Sequence, residues 1–246
     1  MPSPAQTVAI AVIAKAPRPG HVKTRLQGLL RPEEAAALGA AFLHDTLENL
    51  TEAARHAPIV PYIAYAPAGQ EARFDVIRPA GTELVLADGA EGDAPGVEGF
   101  GRVLLHTTRA LLARGHAAAC VLGADSPTLP TAELVSAATL LLAGADAVFG
   151  PADDGGYYLL GLREPHPAPF AHIAWSTESA ADDTRARLTQ AGLRTSELAT
   201  WYDVDDPAAL TRLLGDLGAS GPAYAAPRTA EVAHALRLSS RLAPAE

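Results

Sequence analysis

The chain is 246 residues long, 48% hydrophobic, and carries a formal net charge of −9. That size and apolar content suit one domain with a sizeable core, and the acidic balance argues against wrapping DNA or RNA, which takes a basic surface. Cys120 is the only cysteine, so an intrachain disulfide and a cysteine-built zinc site are excluded.

The first element is Val8-Ala9-Ile10-Ala11-Val12-Ile13-Ala14, an apolar run without polar alternation, as expected of a central parallel strand buried on both faces. It has no positively charged leader and no small-residue cleavage site, so it does not read as a signal peptide. No apolar run is long enough for a bilayer span, so a membrane is not an expected partner, just as the acidic balance leaves nucleic acid out, and the cytoplasm is the default location. Residues 15–26 follow with four cations (Lys15, Arg18, Lys23, Arg25), two prolines, Gly20 and no carboxylate. A basic loop at the carboxyl end of the first strand of an α/β sheet is a place for polyanionic ligands. The plain alternative is a solvated basic loop; with no acid nearby in sequence, Lys23 and Arg25 read instead as exposed cations for phosphate.

Strand-like and helical runs then alternate, which predicts an α/β fold with a mostly parallel sheet and helices on both faces. A helix is expected from Pro32 to about Ala54, strands over 59–65 and 83–86, a helix over 100–114 closed by Gly115, and a strand over 117–122. Beyond it come a helix from Pro130, a strand over 145–149, and a strand leaving the Gly155-Gly156 turn and running to Leu162. No crossover helix precedes this last strand, so it reads as an antiparallel insertion. A helix over 178–191 and short extended segments over 193–198 and 201–204 follow. A core helix starting at Asp206-Pro207 ends near Leu217, and residues 218–246 read as a linker and one C-terminal helix over 229–242. The main domain is thus expected over 1–217.

Three acidic segments carry the chemistry. Asp125, in Gly123-Ala124-Asp125-Ser126-Pro127, ends a buried strand. Its carboxylate suits a hard cation such as Mg²⁺ (or Mn²⁺), which takes one or two carboxylates plus phosphate oxygens. The alternative is a cap for the next helix, a duty better placed for Thr128. In Asp203-Val204-Asp205-Asp206-Pro207, alternation puts Asp203 and Asp205 on one face, with Asp206 placed to cap the following helix. Asp205 is the expected second metal ligand, and its removal should relieve repulsion with Asp125. Asp153-Asp154-Gly155-Gly156 reads as a substrate-facing turn whose glycines admit a ligand close to main-chain N–H groups. The eight histidines show no metal-type spacing, and the loop around Gly20-His21-Val22-Lys23-Thr24 lacks the glycine before lysine of a P-loop.

With these residues in place, the chain resembles the nucleotide-diphospho-sugar transferase (GT-A) superfamily. More narrowly it is similar to a bacterial glycosyltransferase-A-like family, also called selenodomain-associated or arsenosugar-biosynthesis transferases. The blocks that carry the likeness are Ala14-Lys15-Ala16-Pro17-Arg18-Pro19-Gly20 with Lys23-Thr24-Arg25-Leu26, then 123–129, 154–162, Trp175-Ser176-Thr177 and 203–207. The Lys23-Thr24-Arg25-Leu26 block is also similar to that of 2-phospholactate guanylyltransferase. Asp206 stands where relatives usually have Thr, and an acidic stretch over 91–98 replaces an often polar Gln/Gly-rich segment.

The resemblance implies a Rossmann-like GT-A fold with a nucleotide at Ala14, Lys15, Arg18, Gly20, Lys23, Arg25 and Gly123. It implies Mg²⁺ on Asp125 and an aspartate of the late cluster, and a small-molecule acceptor at Asp154, Gly155, Gly156, Tyr157, Trp175, Ser176 and Thr177. Lys23, Arg25 and Asp125 are the expected catalytic residues. The favoured reading is nucleotidyl transfer from a nucleoside triphosphate to a small anionic or sugar-phosphate acceptor. Glycosyl transfer from a nucleotide sugar is the alternative, and a non-catalytic nucleotide-binding module is disfavoured by two carboxylate sites at strand ends.

Overall fold

The structure, a computed structural model, describes residues 6–219, 221 and 223–242. Residues 243–246, the end of the expected C-terminal segment, lie outside the described residues, as do 1–5, 220 and 222. Seven strands form one mixed sheet: β1 (Val8–Lys15), β2 (Ile59–Ala66), β3 (Glu83–Leu86), β4 (Ala118–Leu122), β5 (Ala147–Pro151), β6 (Tyr157–Leu162) and β7 (Thr195–Glu197), in the spatial order β3-β2-β1-β4-β6-β5-β7. β1 pairs parallel with both β2 and β4. β6 runs antiparallel to both of its neighbours, as the missing crossover helix predicts. This is a Rossmann-like α/β architecture with one antiparallel strand inserted in the sheet.

The helices cover both faces. Val8, Ile10 and Val12 turn to the face packed by α1 (Pro32–Ala53) and α3 (Thr131–Leu142), where Leu43, Leu47, Leu50, Leu134 and Leu141 are buried. The alternate residues Ala9 and Ala11 face α2 (Phe100–Leu112), and α4 (Ala180–Gln190) covers the far half of that face with Leu188. Strand alternation between two covered faces accounts for the unbroken apolar run of β1.

The chain turns outward from β1 to β2 and β3 on one side and to β4 on the other, so the strand order reverses between β1 and β4. Such a switch point leaves a crevice at the carboxyl ends of both strands, the general ligand position of open α/β sheets. In this chain those ends are Lys15 and the Gly123–Asp125 segment.

α1 is buried on its outer face too. Leu38 and Phe42 pack with Leu210 and Leu213 of α5 (Pro207–Asp216), Ala233 of α6 (Pro227–Ala235) and Leu238 of α7 (Leu238–Leu242). The expected single C-terminal helix is instead two, broken at Arg237, whose φ of 51° lies in the left-handed region. Two carboxylates of α1 hold these helices. Glu34 accepts both guanidinium nitrogens of Arg241 and also binds Arg31, and these cations hold its carboxyl well below the usual carboxylate range. Asp45, fully buried, accepts the first N–H groups of α6, from Arg228 (3.1 Å) and Thr229 (2.6 Å).

Asp45 thus caps a helix 183 residues away in sequence. Asp45→Ala strands two N–H donors and should cost about 1–3 kcal/mol. A lowered urea midpoint with an unchanged denaturant slope checks this; an unaltered midpoint contradicts it.

Candidate active site

Two segments meet at the switch point. Val204 N–H donates to the Asp125 carbonyl (2.9 Å), which lays the 201–205 stretch beside the end of β4. Tyr202 and Val204 turn into the core while Asp203 and Asp205 face the crevice, so the alternation read from the sequence is realised. Asp206 turns away, its carboxylate accepting Ala209 N–H (2.8 Å) as the N-cap of α5.

The cation at the centre is Lys23. Its Nζ lies 2.6 Å from Asp125 Oδ1 and 3.1 Å from Asp205 Oδ1, and it donates to the Val204 carbonyl at 2.7 Å. The side chain is only 5% exposed, against 45% for Asp125 and 40% for Asp205. Burial works against its charge, but the two carboxylates outweigh that, and its pKa stands above the ordinary lysine value. Lys23 is therefore not the exposed phosphate-ready cation expected from its loop; the acids absent from its sequence neighbourhood arrive from Asp125 and from the late cluster. The same contact corrects the expectation for Asp205, because an ammonium already relieves its repulsion with Asp125.

Local structure explains how Lys23 gets there. Leu26 is fully buried with Leu30, Leu38 and Phe42, anchoring a short turn whose Leu26 N–H bonds the Lys23 carbonyl (3.0 Å). Lys23 itself sits at φ 49°, a left-handed conformation that L side chains seldom adopt, and its ammonium lies 5.0 Å from the Phe42 ring centroid.

Two cavities share Asp125, Asp205, Lys15, Tyr157 and Phe100. The smaller, about 330 Å³, runs under the basic loop past Ala14, Lys23, Gly39, Leu43 and Gly123. The larger, about 1240 Å³, opens over Arg25, Asp154, Gly156, Trp175, Ser176, Thr177, Glu178 and Asp203. Arg25 is 64% exposed, with its guanidinium 3.7 Å from Asp205 Oδ2.

Several expected site residues stand apart. Arg18 and Gly20 shape an exposed turn and line neither cavity, and Gly155 does not line them either. At Gly155 (φ 86°) a Cβ would lie 2.1 Å from the Glu178 carbonyl oxygen, so chain packing, not ligand approach, requires that glycine. The Thr128 hydroxyl bonds Tyr202 Oη instead of capping α3, whose first turn has no side-chain cap.

The burial of the Asp203 carboxyl and the exposed ring of Phe100 escaped the sequence reading. Asp203, hydrogen-bonded to the Ser126 hydroxyl, has its carboxyl pushed up to about 7 by burial, with Asp125, Asp154 and Asp205 adding to the effect. Phe100, 46% exposed, meets Trp175 edge-on at 5.4 Å, and Trp175 lies 6.2 Å from Tyr157, forming an aromatic wall across the larger cavity. A large exposed aromatic at the first position of a helix was the available signal for Phe100.

The family model described as "Uncharacterized protein conserved in bacteria (DUF2064)" matches residues 46–177. The chain belongs to that family. No curated protein matches it in sequence. Among solved structures it is similar to a protein from Desulfovibrio desulfuricans G20 assigned as a nucleotide-diphospho-sugar transferase. That protein is 27% identical with a TM-score of 0.77, and the match covers 94% of this chain and 97% of the relative. The fold is shared with a cytidylyltransferase from Leptospira borgpetersenii (12% identity, TM-score 0.52, 98% of each chain). It is also shared with CMP:2-keto-3-deoxy-manno-octonic acid synthetase complexed with CTP (14% identity, TM-score 0.50, 85% of this chain and 97% of that one). The Desulfovibrio match supports the GT-A-like superfamily assignment that the motifs suggested, and the other two structures share the fold. Among the described residues, no helix is long and apolar enough to cross a membrane.

The two neighbouring aspartates should separate cleanly. Asp206→Ala removes a helix cap and should cost about 1 kcal/mol while leaving ligand binding unchanged. Asp205→Asn should weaken divalent-cation binding, because a neutral amide cannot balance the cation. Melting curves and Mn²⁺ titrations of both variants decide; a metal-binding defect in Asp206→Ala alone would put the ligand one residue later.

Proposed function

We propose that the protein is a metal-dependent nucleotidyltransferase. It moves a nucleoside monophosphate from a nucleoside triphosphate to a small anionic or sugar-phosphate acceptor and releases pyrophosphate. The observation that carries this reading is the convergence of Asp125 and Asp205 on one cation, at the switch point of the sheet and beside Lys15 and Arg25.

The residues fit a divalent cation. Two carboxylates from separate segments already share a stand-in positive charge, the Lys23 ammonium, and an oxygen-only donor pair is what Mg²⁺ or Mn²⁺ takes when phosphates complete its shell. Held there, the metal would neutralise charge on the phosphates during transfer.

The chain's own groups do the rest by positioning and electrostatics. Arg25, exposed at the mouth of the larger cavity, is placed to draw the departing pyrophosphate, and Lys15, at the end of β1, neutralises phosphate charge between the two cavities. The acceptor is assigned to the space bounded by Asp154, Gly156, Tyr157, Trp175, Ser176 and Thr177. An anionic acceptor has to approach from the Lys15 and Arg25 side, since Asp154, Glu178 and Asp203 line the remainder. Its oxygen forms the new bond to the α-phosphorus as the bond to the β-phosphate's bridging oxygen breaks and pyrophosphate leaves with the electron pair. A phosphate or carboxylate nucleophile needs no base.

A second reading is glycosyl transfer from a nucleotide sugar, favoured by the Desulfovibrio relative, which matches nearly end to end and is assigned to nucleotide-diphospho-sugar transfer. Products separate the two: pyrophosphate from a nucleoside triphosphate, or a nucleoside diphosphate from a nucleotide sugar. In a Mg²⁺ screen, the triphosphate that serves as donor should stabilise the protein by about 2.7 kcal/mol at one hundred times its dissociation constant. Asp125→Asn should lower the turnover on the order of a hundredfold or more. Near-native turnover by that variant, or undiminished activity in excess chelator, contradicts the proposal.

A further inference from the structure

We propose that Lys23 is a built-in cation that closes the metal site when no metal is present, so that a divalent cation enters by displacing its ammonium from between Asp125 and Asp205. The inference rests on the assignment of those two aspartates as the metal ligands.

The ammonium has three N–H donors, and the structure offers three acceptors: Asp125 Oδ1, Asp205 Oδ1 and the Val204 carbonyl. Nothing remains to reach a phosphate. A lysine standing ready for a triphosphate would present a free donor to the cavity, whereas this one is 5% exposed and turned inward over Phe42. Its backbone lies in the left-handed region at φ 49°.

Charge balance gives the arrangement its consequence. Two carboxylates and one ammonium leave a single negative charge; a divalent cation added beside the ammonium would place three positive charges within hydrogen-bond distance of one another. Repulsion at that range is strong in a partly desolvated site, so metal and ammonium exclude each other. The displaced side chain has somewhere to go, because the adjoining smaller cavity borders Lys23, Gly39 and Leu43. A triphosphate arriving with the metal supplies the ammonium with a new anionic partner. Metal and polyphosphate therefore bind with positive coupling, and the bare protein holds metal weakly.

Lys15 and Lys23 are the only lysines of the chain, which makes the ammonium directly observable. In protein labelled with ¹⁵N-lysine, metal-free spectra should show one solvent-protected ammonium signal, from Lys23, with that of exposed Lys15 broadened by exchange. Mg²⁺ alone, added to calorimetric saturation, should shift or remove the protected signal. A signal unchanged at saturation overturns the proposal, as does a Lys23 ammonium that exchanges as fast as Lys15 without metal. In parallel, Lys23→Met should bind Mg²⁺ at least about tenfold more tightly than wild type in the absence of nucleotide, as expected on removing a unit charge from both ligands. Its metal-free melting temperature should fall and recover with Mg²⁺. Equal affinities in the two proteins refute the displacement and leave the metal site standing. Absence of Mg²⁺ binding in both refutes the metal assignment and the displacement together.

Discussion

A buried ammonium between two carboxylates organises this molecule. Burying a charge is costly unless it is paired and fully hydrogen-bonded, and Lys23 satisfies that condition only where three distant pieces of chain meet. Each piece is fixed by its own packing: the lysine turn by Leu26, Asp125 by the end of β4, and the 203–205 segment by Tyr202 and Val204. The Val204 amide ties the last two together through the Asp125 carbonyl. The acidic residues that the basic loop meets therefore decide where its lysine points, while Leu26 holds the turn itself.

The sheet order decides where this happens. Because the chain reverses direction of travel between β1 and β4, the carboxyl ends of both strands border one crevice, and β6, inserted antiparallel, delivers Tyr157 to its floor. The loop before α4 brings Trp175 from the other side, with Ala174 N–H held by Asp183 Oδ2 at 3.1 Å. The cations Lys15 and Arg25 and the aromatic wall of Phe100, Trp175 and Tyr157 thus border one cavity.

Much of the fold was legible in the sequence because it is written in local patterns. The unbroken apolar run of β1, the Pro-started and Gly-ended helices, and the missing crossover before β6 each follow from nearest-neighbour physics, and so does the Asp206 cap. What stayed hidden depends on contacts remote in sequence. Lys23 lies 182 residues from Asp205, so its loop reads as exposed until the chain folds. Gly155 reads as an opening for a ligand because nothing in its neighbourhood reveals the Glu178 backbone filling the space. The C-terminal break at Arg237 is likewise invisible to periodicity, since Leu236 and Leu238 both remain apolar and pack in one cluster against α1 and α5.

The decisive quantity is the position of the divalent cation in the crevice. Anomalous diffraction from crystals of the wild-type protein grown with Mn²⁺ and a nucleoside triphosphate measures it directly. The expected result is a peak within coordination distance, about 2.1 Å, of carboxylate oxygens of both Asp125 and Asp205, with the Lys23 ammonium no longer between them. A peak elsewhere in the crevice, with Lys23 still bridging the two aspartates, would contradict it.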